Sequence, residues 1–93
     1  VDLSLDVRVV ASRDQVSCDL QGEVAILNMK NGIYYGLDPV GAHVWKLIQT
    51  SRPIRDIRDS ILAEYDVDAQ RCEHDLLNLL RDLRDQGLIE VQS

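Results

Sequence analysis

Two thiols and two imidazoles are the side chains of this sequence best equipped for bond-making chemistry. Cys72 and His74 stand two positions apart in a stretch with helical spacing. Residues two apart on a helix point in different directions, so an imidazole-activated thiolate is not expected there. Cys18 and His43 lie far away in the chain, and no Cys-x-x-Cys pair exists, so no zinc-ligand spacing is present. The cysteines read instead as small buried apolar residues in a reducing cytosol, with a long-range disulfide as the alternative. Carboxylates are plentiful, but Asp56, Asp59, Glu64, Glu73, Asp82 and Asp85 fall where predicted helices meet water, as solvated charges usually do. The glycines, Gly22, Gly32, Gly36, Gly41 and Gly87, are scattered rather than gathered into a phosphate-cradling loop. No nucleophile with a base, no carboxylate pair in a cleft and no metal set emerges. The expectation is a protein that is not an enzyme and takes no cofactor or metal.

Binding is the chemistry that remains, and it depends on the elements that carry it. The first half alternates with a period of two. Val7, Val9 and Ala11 give a weak signal, and Val16, Cys18 and Leu20 a clearer one. Glu23 to Asn28 is a continuous apolar strand after a turn at Gln21-Gly22-Glu23. Asn31-Gly32 then marks a hairpin, because both residues tolerate positive φ, and Ile33 to Leu37 forms the last strand. These make an antiparallel meander over 16–20, 23–28 and 33–37. The second half has helical spacing. Asp38 caps a helix with Pro39 at its first position, running to about Thr50. Ser51-Arg52-Pro53 connects it to a second helix, from Ile54 to about Glu64. Asp68 caps a third, with Cys72, Leu76, Leu79, Leu80 and Leu83 on one stripe, and Gly87 stops it. Leu88 to Val91 is a short extended end. The predicted fold class is α+β, with three helices on one side of a three-stranded antiparallel meander.

Three features exceed what a core requires. Ile33, Tyr34, Tyr35, Gly36 and Leu37 would form an edge strand without charge or proline, although edges are usually guarded by such residues. Its plainer reading is burial of Ile33, Tyr35 and Leu37 on the core; its sharper reading is an edge kept open for a peptide strand. The leucine stripe of the third helix, with Leu77 off its centre, is wider than one contact needs and suits a groove beside that strand. Gly41, inside the first turn of a helix, costs about 1 kcal/mol against alanine, and close approach of another backbone is the expected reason. Trp45 is expected in the core with its indole N–H satisfied, and His43 at the surface.

Size and charge set the limits. The chain has 93 residues, enough for a single domain, 1–93, with one modest core. Its net charge of -6 opposes nucleic-acid and anionic-membrane partners. A winged-helix DNA reader using Arg71, Arg81 and Arg84 is the rival class, and Glu73, Asp75, Asp82 and Asp85 on the same helix oppose it. No apolar run approaches the roughly 20 residues that span a bilayer. Val1-Asp2-Leu3-Ser4 has no basic stretch before an apolar one, so no signal peptide is expected and the cytoplasm is the expected compartment.

The ordered set Ala25-Ile26-Leu27-Asn28, Asn31-Gly32-Ile33-Tyr34-Tyr35-Gly36-Leu37-Asp38 and Val40-Gly41-Ala42-His43-Val44-Trp45-Lys46-Leu47-Ile48 resembles the PqqD-like family. That family's pattern is a strand, Gly-x-Tyr-aromatic-x-Leu-Asn, then Val-Gly-Ala-x-Ile-Trp-x-Leu-Leu. The likeness continues through Glu64-Tyr65-Asp66-Val67-Asp68, Asp75-Leu76, Leu79-Leu80-Arg81-Asp82-Leu83 and Gly87-Leu88-Ile89. Asp38 stands where the family often has Asn, and both cap helices. Val1 to Arg13 matches nothing in the pattern. The resemblance implies a winged helix-turn-helix-like RiPP recognition element. Such a module binds the leader segment of a ribosomally made precursor peptide, most similarly to the stand-alone proteins of lasso-peptide pathways. The implied partners are that leader, a transglutaminase-like leader peptidase and an ATP-dependent cyclase. The relative in PQQ biosynthesis, which works with a radical-SAM enzyme, is the nearest competitor. The implied leader site is Ile33, Tyr34, Tyr35, Gly36 and Leu37 as backbone rail, in a phase left open. Tyr34, Leu76, Leu79, Leu80 and Leu83 would line pockets, and Asp75 and Asp82 would meet basic leader residues or cap the groove. An open edge also pairs with itself, so a monomer or a weak edge-paired dimer is expected.

Overall fold

The computed structural model describes residues 3–92; Val1, Asp2 and Ser93 lie outside them, with what the sequence implied for them. The meander stands as expected. It consists of β2 (Gln15–Leu20), β3 (Glu23–Asn28) and β4 (Tyr34–Leu37), in that spatial order, all antiparallel. The helices follow as α1 (Pro39–Leu47), α2 (Ile54–Glu64) and α3 (Ala69–Asp85). The fold is α+β, and the likeness to a winged helix is loose.

The turns differ from expectation. The tight two-residue hairpin is Gln21-Gly22, where φ is 54° and 88°, as a type I′ turn requires. At Asn31-Gly32 only Gly32 has positive φ. The loop there is wider: Gly32 N–H donates to the Asn28 carbonyl at 2.8 Å and Asn28 N–H to the Ile33 carbonyl at 3.0 Å. Asn31 acts through its side chain, Oδ1 accepting from Ile33 N–H at 2.9 Å, the self-bonding that suits Asn to turns. Ile33 therefore belongs to the loop rather than the strand and is 55% exposed.

A second sheet is the main feature the sequence did not announce. β1 (Arg8–Ala11) lies between β5 (Arg52–Pro53) and β6 (Ile89–Gln92). The segment before β1 also caps α2, whose N-cap Pro53 makes no side-chain bond. The first orphan donors of α2, the Ile54 and Arg55 N–H groups, reach the Val7 and Leu5 carbonyls at 2.9 and 3.0 Å. The connector 51–53 thus becomes strand, and α1 ends at Leu47 rather than near Thr50. Its last carbonyls are taken by other donors: Gln49 Nε2 bonds Trp45 O at 2.8 Å, and Arg52 Nε bonds Leu47 O at 2.6 Å.

The remaining helix ends follow local chemistry. Asp38 Oδ1 accepts from Gly41 N–H at 2.8 Å, and Asp68 Oδ2 from Arg71 N–H at 3.0 Å, each an N-cap. Gly87 has φ 73°. Its N–H donates to Arg84 O at 3.0 Å and Leu88 N–H to Leu83 O at 2.9 Å, a Schellman stop. Asn28, buried in β3, ties that stop to the meander: Nδ2 donates to Gln86 O at 2.6 Å, and Oδ1 accepts from Lys30 N–H at 2.9 Å.

One core joins the layers. Val9, Ile26, Val44, Ile48, Ile54, Ile57, Leu80, Leu83 and Leu88 are fully buried in it. Trp45 is buried as expected, yet its indole N–H has no acceptor among the described residues. Cys72 is buried, but Cys18 is exposed and both thiols are free, which corrects the expectation of two buried cysteines and removes the disulfide alternative.

A peptide-sized groove beside an open strand edge

The register of β3 with β4 fixes the phase that the sequence left open. Asn28 lies opposite Ile33 and donates to its carbonyl, so 28/33, 26/35 and 24/37 are the hydrogen-bonded pairs. Tyr35 and Leu37 therefore spend their backbone groups on β3. Tyr34 and Gly36 point their N–H and C=O groups away from it, and no strand among the described residues lies beyond β4. The free rail is Tyr34 and Gly36, the second of the two phases.

Side chains sort by the same register. Val24, Ile26 and Asn28 are buried under the helices, and their partners Leu37, Tyr35 and Ile33 share that face. Tyr34 and Gly36 are on the opposite face, Tyr34 being 71% exposed. Between β4 and α3 runs an open groove of about 530 Å³. Tyr35, Gly36 and Leu37 form one wall, and Arg71, Cys72, Asp75, Leu76 and Leu79 the other; Asp38, Val40, Gly41, Val44, Ile61, Tyr65 and Val67 complete it.

Of the side chains expected to line pockets, Leu76 and Leu79 do so. Tyr34 does not, because its register turns it to the other face of the sheet. Leu80 and Leu83 do not either: both are at 0% exposure on the core side of α3 and offer a ligand no surface. Asp75 is on the groove wall, with its Oδ2 3.8 Å from Arg71 Nε. Asp82 lies two helical turns further along and is close enough to Tyr35 to act on it. The Tyr35 phenol is held above its ordinary value, first by burial and then by the Asp82 carboxylate. Burial likewise pushes the Cys72 thiol up; Arg58 opposes this, and Asp75 and Glu73 add to it.

Sequence reasoning missed the groove's inner surface. Gly41 was the available signal. An added Cβ there would stand 3.1 Å from Leu37 Cδ2 and 3.3 Å from Asp38 Oδ1. The close neighbour is thus a side chain of β4 and the helix cap, not another backbone. Missing that Cβ, α1 seats against Leu37 and forms the back of the groove. His43 is half-buried rather than a free surface residue, with Nε2 2.9 Å from Ser60 Oγ and its ring edge-on to Tyr65.

The cations of α3 have polar neighbours: Arg84 Nε lies 3.6 Å from Asp85 Oδ1, and Arg81 Nη1 donates to Asn78 Oδ1 at 3.4 Å. Among the described residues no cluster of metal-ligating side chains occurs, and no helix is long and apolar enough to cross a membrane.

No curated protein matches the chain significantly. Among solved structures, TbiB1 in complex with the TbiA(beta) leader peptide is 38% identical with a TM-score of 0.81, over 87% of this chain and 94% of that one. Lasso peptide synthetase B1, complexed with the leader peptide, has a TM-score of 0.77 over 88% of this chain and 96% of that one. At 17% identity it shows likeness of fold alone. The family described as coenzyme PQQ synthesis protein D (PqqD) matches residues 23–89. With most of its length under that match and a closely similar solved relative, this chain belongs to the PqqD family.

Proposed function

We propose that this protein is a non-catalytic recognition module that binds the leader segment of a ribosomally synthesised precursor peptide, of the lasso type, and holds it for separate enzymes. The observation that carries the reading is the free backbone rail of Tyr34 and Gly36 beside the β4–α3 groove. A peptide entering as a strand gains main-chain hydrogen bonds from the rail and places alternate side chains into the groove. Leu76, Leu79, Tyr35 and Leu37 then receive its apolar residues, and Asp75 and Asp82 meet basic ones. The 38% identical TbiB1 was solved with a leader peptide, which supports the same ligand class here. The sequence resemblance to stand-alone lasso-pathway proteins supports the pathway. A transglutaminase-like peptidase and a cyclase would take the peptide from this module.

Fluorescence anisotropy with a synthetic lasso-precursor leader tests the reading. Saturable 1:1 binding is expected, weakened by Leu79→Ala while the domain stays folded. Binding only to a PQQ-type precursor would move the module to the other pathway, and binding to duplex DNA alone at low salt would refute peptide recognition.

A further inference from the structure

The sheet that carries β4 has a second edge, and its backbone is as available as the first. β2 lies on the far side of β3. The two-residue turn at Gln21-Gly22 closes on the hydrogen-bonded pair of Leu20 with Glu23, so Cys18 with Ala25 and Val16 with Leu27 are bonded pairs as well. Ser17 and Asp19 therefore turn their N–H and C=O groups away from β3, as Tyr34 and Gly36 do on β4. β2 is also the longer strand, six residues against four, and holds no proline. Apart from half-buried Gln15, every residue in it is exposed, and no strand among the described residues lies beyond it. Backbone chemistry alone would take a guest strand, or a second copy of this chain, at least as readily at β2 as at β4.

We propose that Asp19 is the specificity-determining residue that closes this second edge and so confines strand addition to β4. The inference rests on the leader-binding reading above. Asp19 is the one charged residue in β2, and β4 has none. Its register places it opposite buried Val24, on the helix side of the sheet. A guest at β4 finds the groove on that side; a guest at β2 finds Asp19 Oδ2 3.6 Å from Lys46 Nζ, with both side chains more than half exposed. At that exposure the pair adds little to stability, so folding does not account for a carboxylate in the middle of a strand. Its effect on an incoming strand is larger. A strand pairing beside Asp19 takes the carboxylate and the ammonium out of water. The apolar side chains that suit the leucines of α3 give neither group a hydrogen bond in return. Two copies meeting through β2 would bring two Asp19 carboxylates to one seam, where like charges repel. A charge turned to the inner side of an edge strand is one of the ways sheets block such pairing. Without it, Val16, Cys18 and Leu20 would leave β2 an uncharged, apolar-sided edge open to both.

The test is Asp19→Thr in the full chain, with Asp19→Glu as the variant that keeps the charge. Sedimentation equilibrium should show Asp19→Thr self-associating at least about tenfold more tightly than the unaltered chain, while Asp19→Glu matches the unaltered chain. The melting temperature should barely move in either, which separates an open edge from a damaged fold. Amide hydrogen exchange locates the effect. In Asp19→Thr the Ser17 amide should become protected as protein concentration rises or as a synthetic lasso-precursor leader is added. In the unaltered chain and in Asp19→Glu it should stay fast under both conditions. An Asp19→Thr chain that associates no more tightly and keeps its Ser17 amide fast overturns the inference. So does an unaltered chain that protects Ser17 on adding leader, or an Asp19→Glu chain that behaves like Asp19→Thr. An unaltered chain that binds no leader overturns the earlier reading instead, and self-association of Asp19→Thr still decides whether the charge closes the edge. Should Asp19→Thr not fold, Asp19→Asn has the shape without the charge and is read in the same way.

Discussion

Tyr34 and Gly36 hold the outward backbone groups of β4, while Tyr35 spends its own on Ile26. Proline removes an N–H donor, so its effect depends on phase. Gly36→Pro should lower leader affinity at least about tenfold with a small change in stability, by removing one edge bond and crowding the added strand. Tyr35→Pro should unfold the meander instead, and thermal melts beside anisotropy separate the two outcomes. The cysteines give a second contrast. Cys18 is exposed, whereas burial holds the Cys72 thiol protonated. A maleimide at neutral pH should label Cys18 promptly and Cys72 only slowly, as mass spectrometry of the digest would show. Tyr35 supplies a pH signature. Its phenol titrates above the ordinary value of 10.0 in the folded chain. Its contribution is therefore complete below that value and is lost as pH rises through the folded value. Tyr35→Phe should flatten the fall in melting temperature over that alkaline window, relative to the unaltered chain.

At the scale of elements, α3 works with two faces. Leu80 and Leu83 face the core, and Leu79 faces the groove. Leu80→Ala should cost about 2–5 kcal/mol in urea unfolding, while Leu79→Ala should leave stability nearly intact and weaken leader binding. Asn28→Ala should cost about 1–3 kcal/mol, because it strands the Gln86 carbonyl and the Lys30 N–H together. The sequence made the stripe of α3 visible, since spacing at three and four residues marks a helix face, but spacing does not divide that face between core and groove. The caps at Asp38 and Asp68 and the stop at Gly87 were legible because each is local chemistry. The strand phase was not, because it depends on a wide loop rather than the expected two-residue turn at Asn31-Gly32. Of the β5-β1-β6 sheet, the extended character of 7–11 and 88–91 was legible but β5 and the pairing were not, because strands of two to four residues meet only in three dimensions.

At the scale of the whole molecule, the described residues form a thin body, 35 × 33 × 19 Å, with a meander whose two faces differ in character. One packs on the helices and opens into the groove; the other faces outward and is largely apolar. The second sheet gathers both ends of the described chain and leaves the β4 edge alone. That arrangement suits a module that adds a guest strand to the four residues of β4. Residue-resolved amide hydrogen exchange by NMR, with and without a synthetic leader peptide, tests strand addition most directly. On strand addition the Tyr34 and Gly36 amides, fast in the free protein, should become protected, while those of Tyr35 and Leu37, already bonded to β3, should change little. Saturable leader binding that leaves the Tyr34 and Gly36 amides exchanging as before would contradict it.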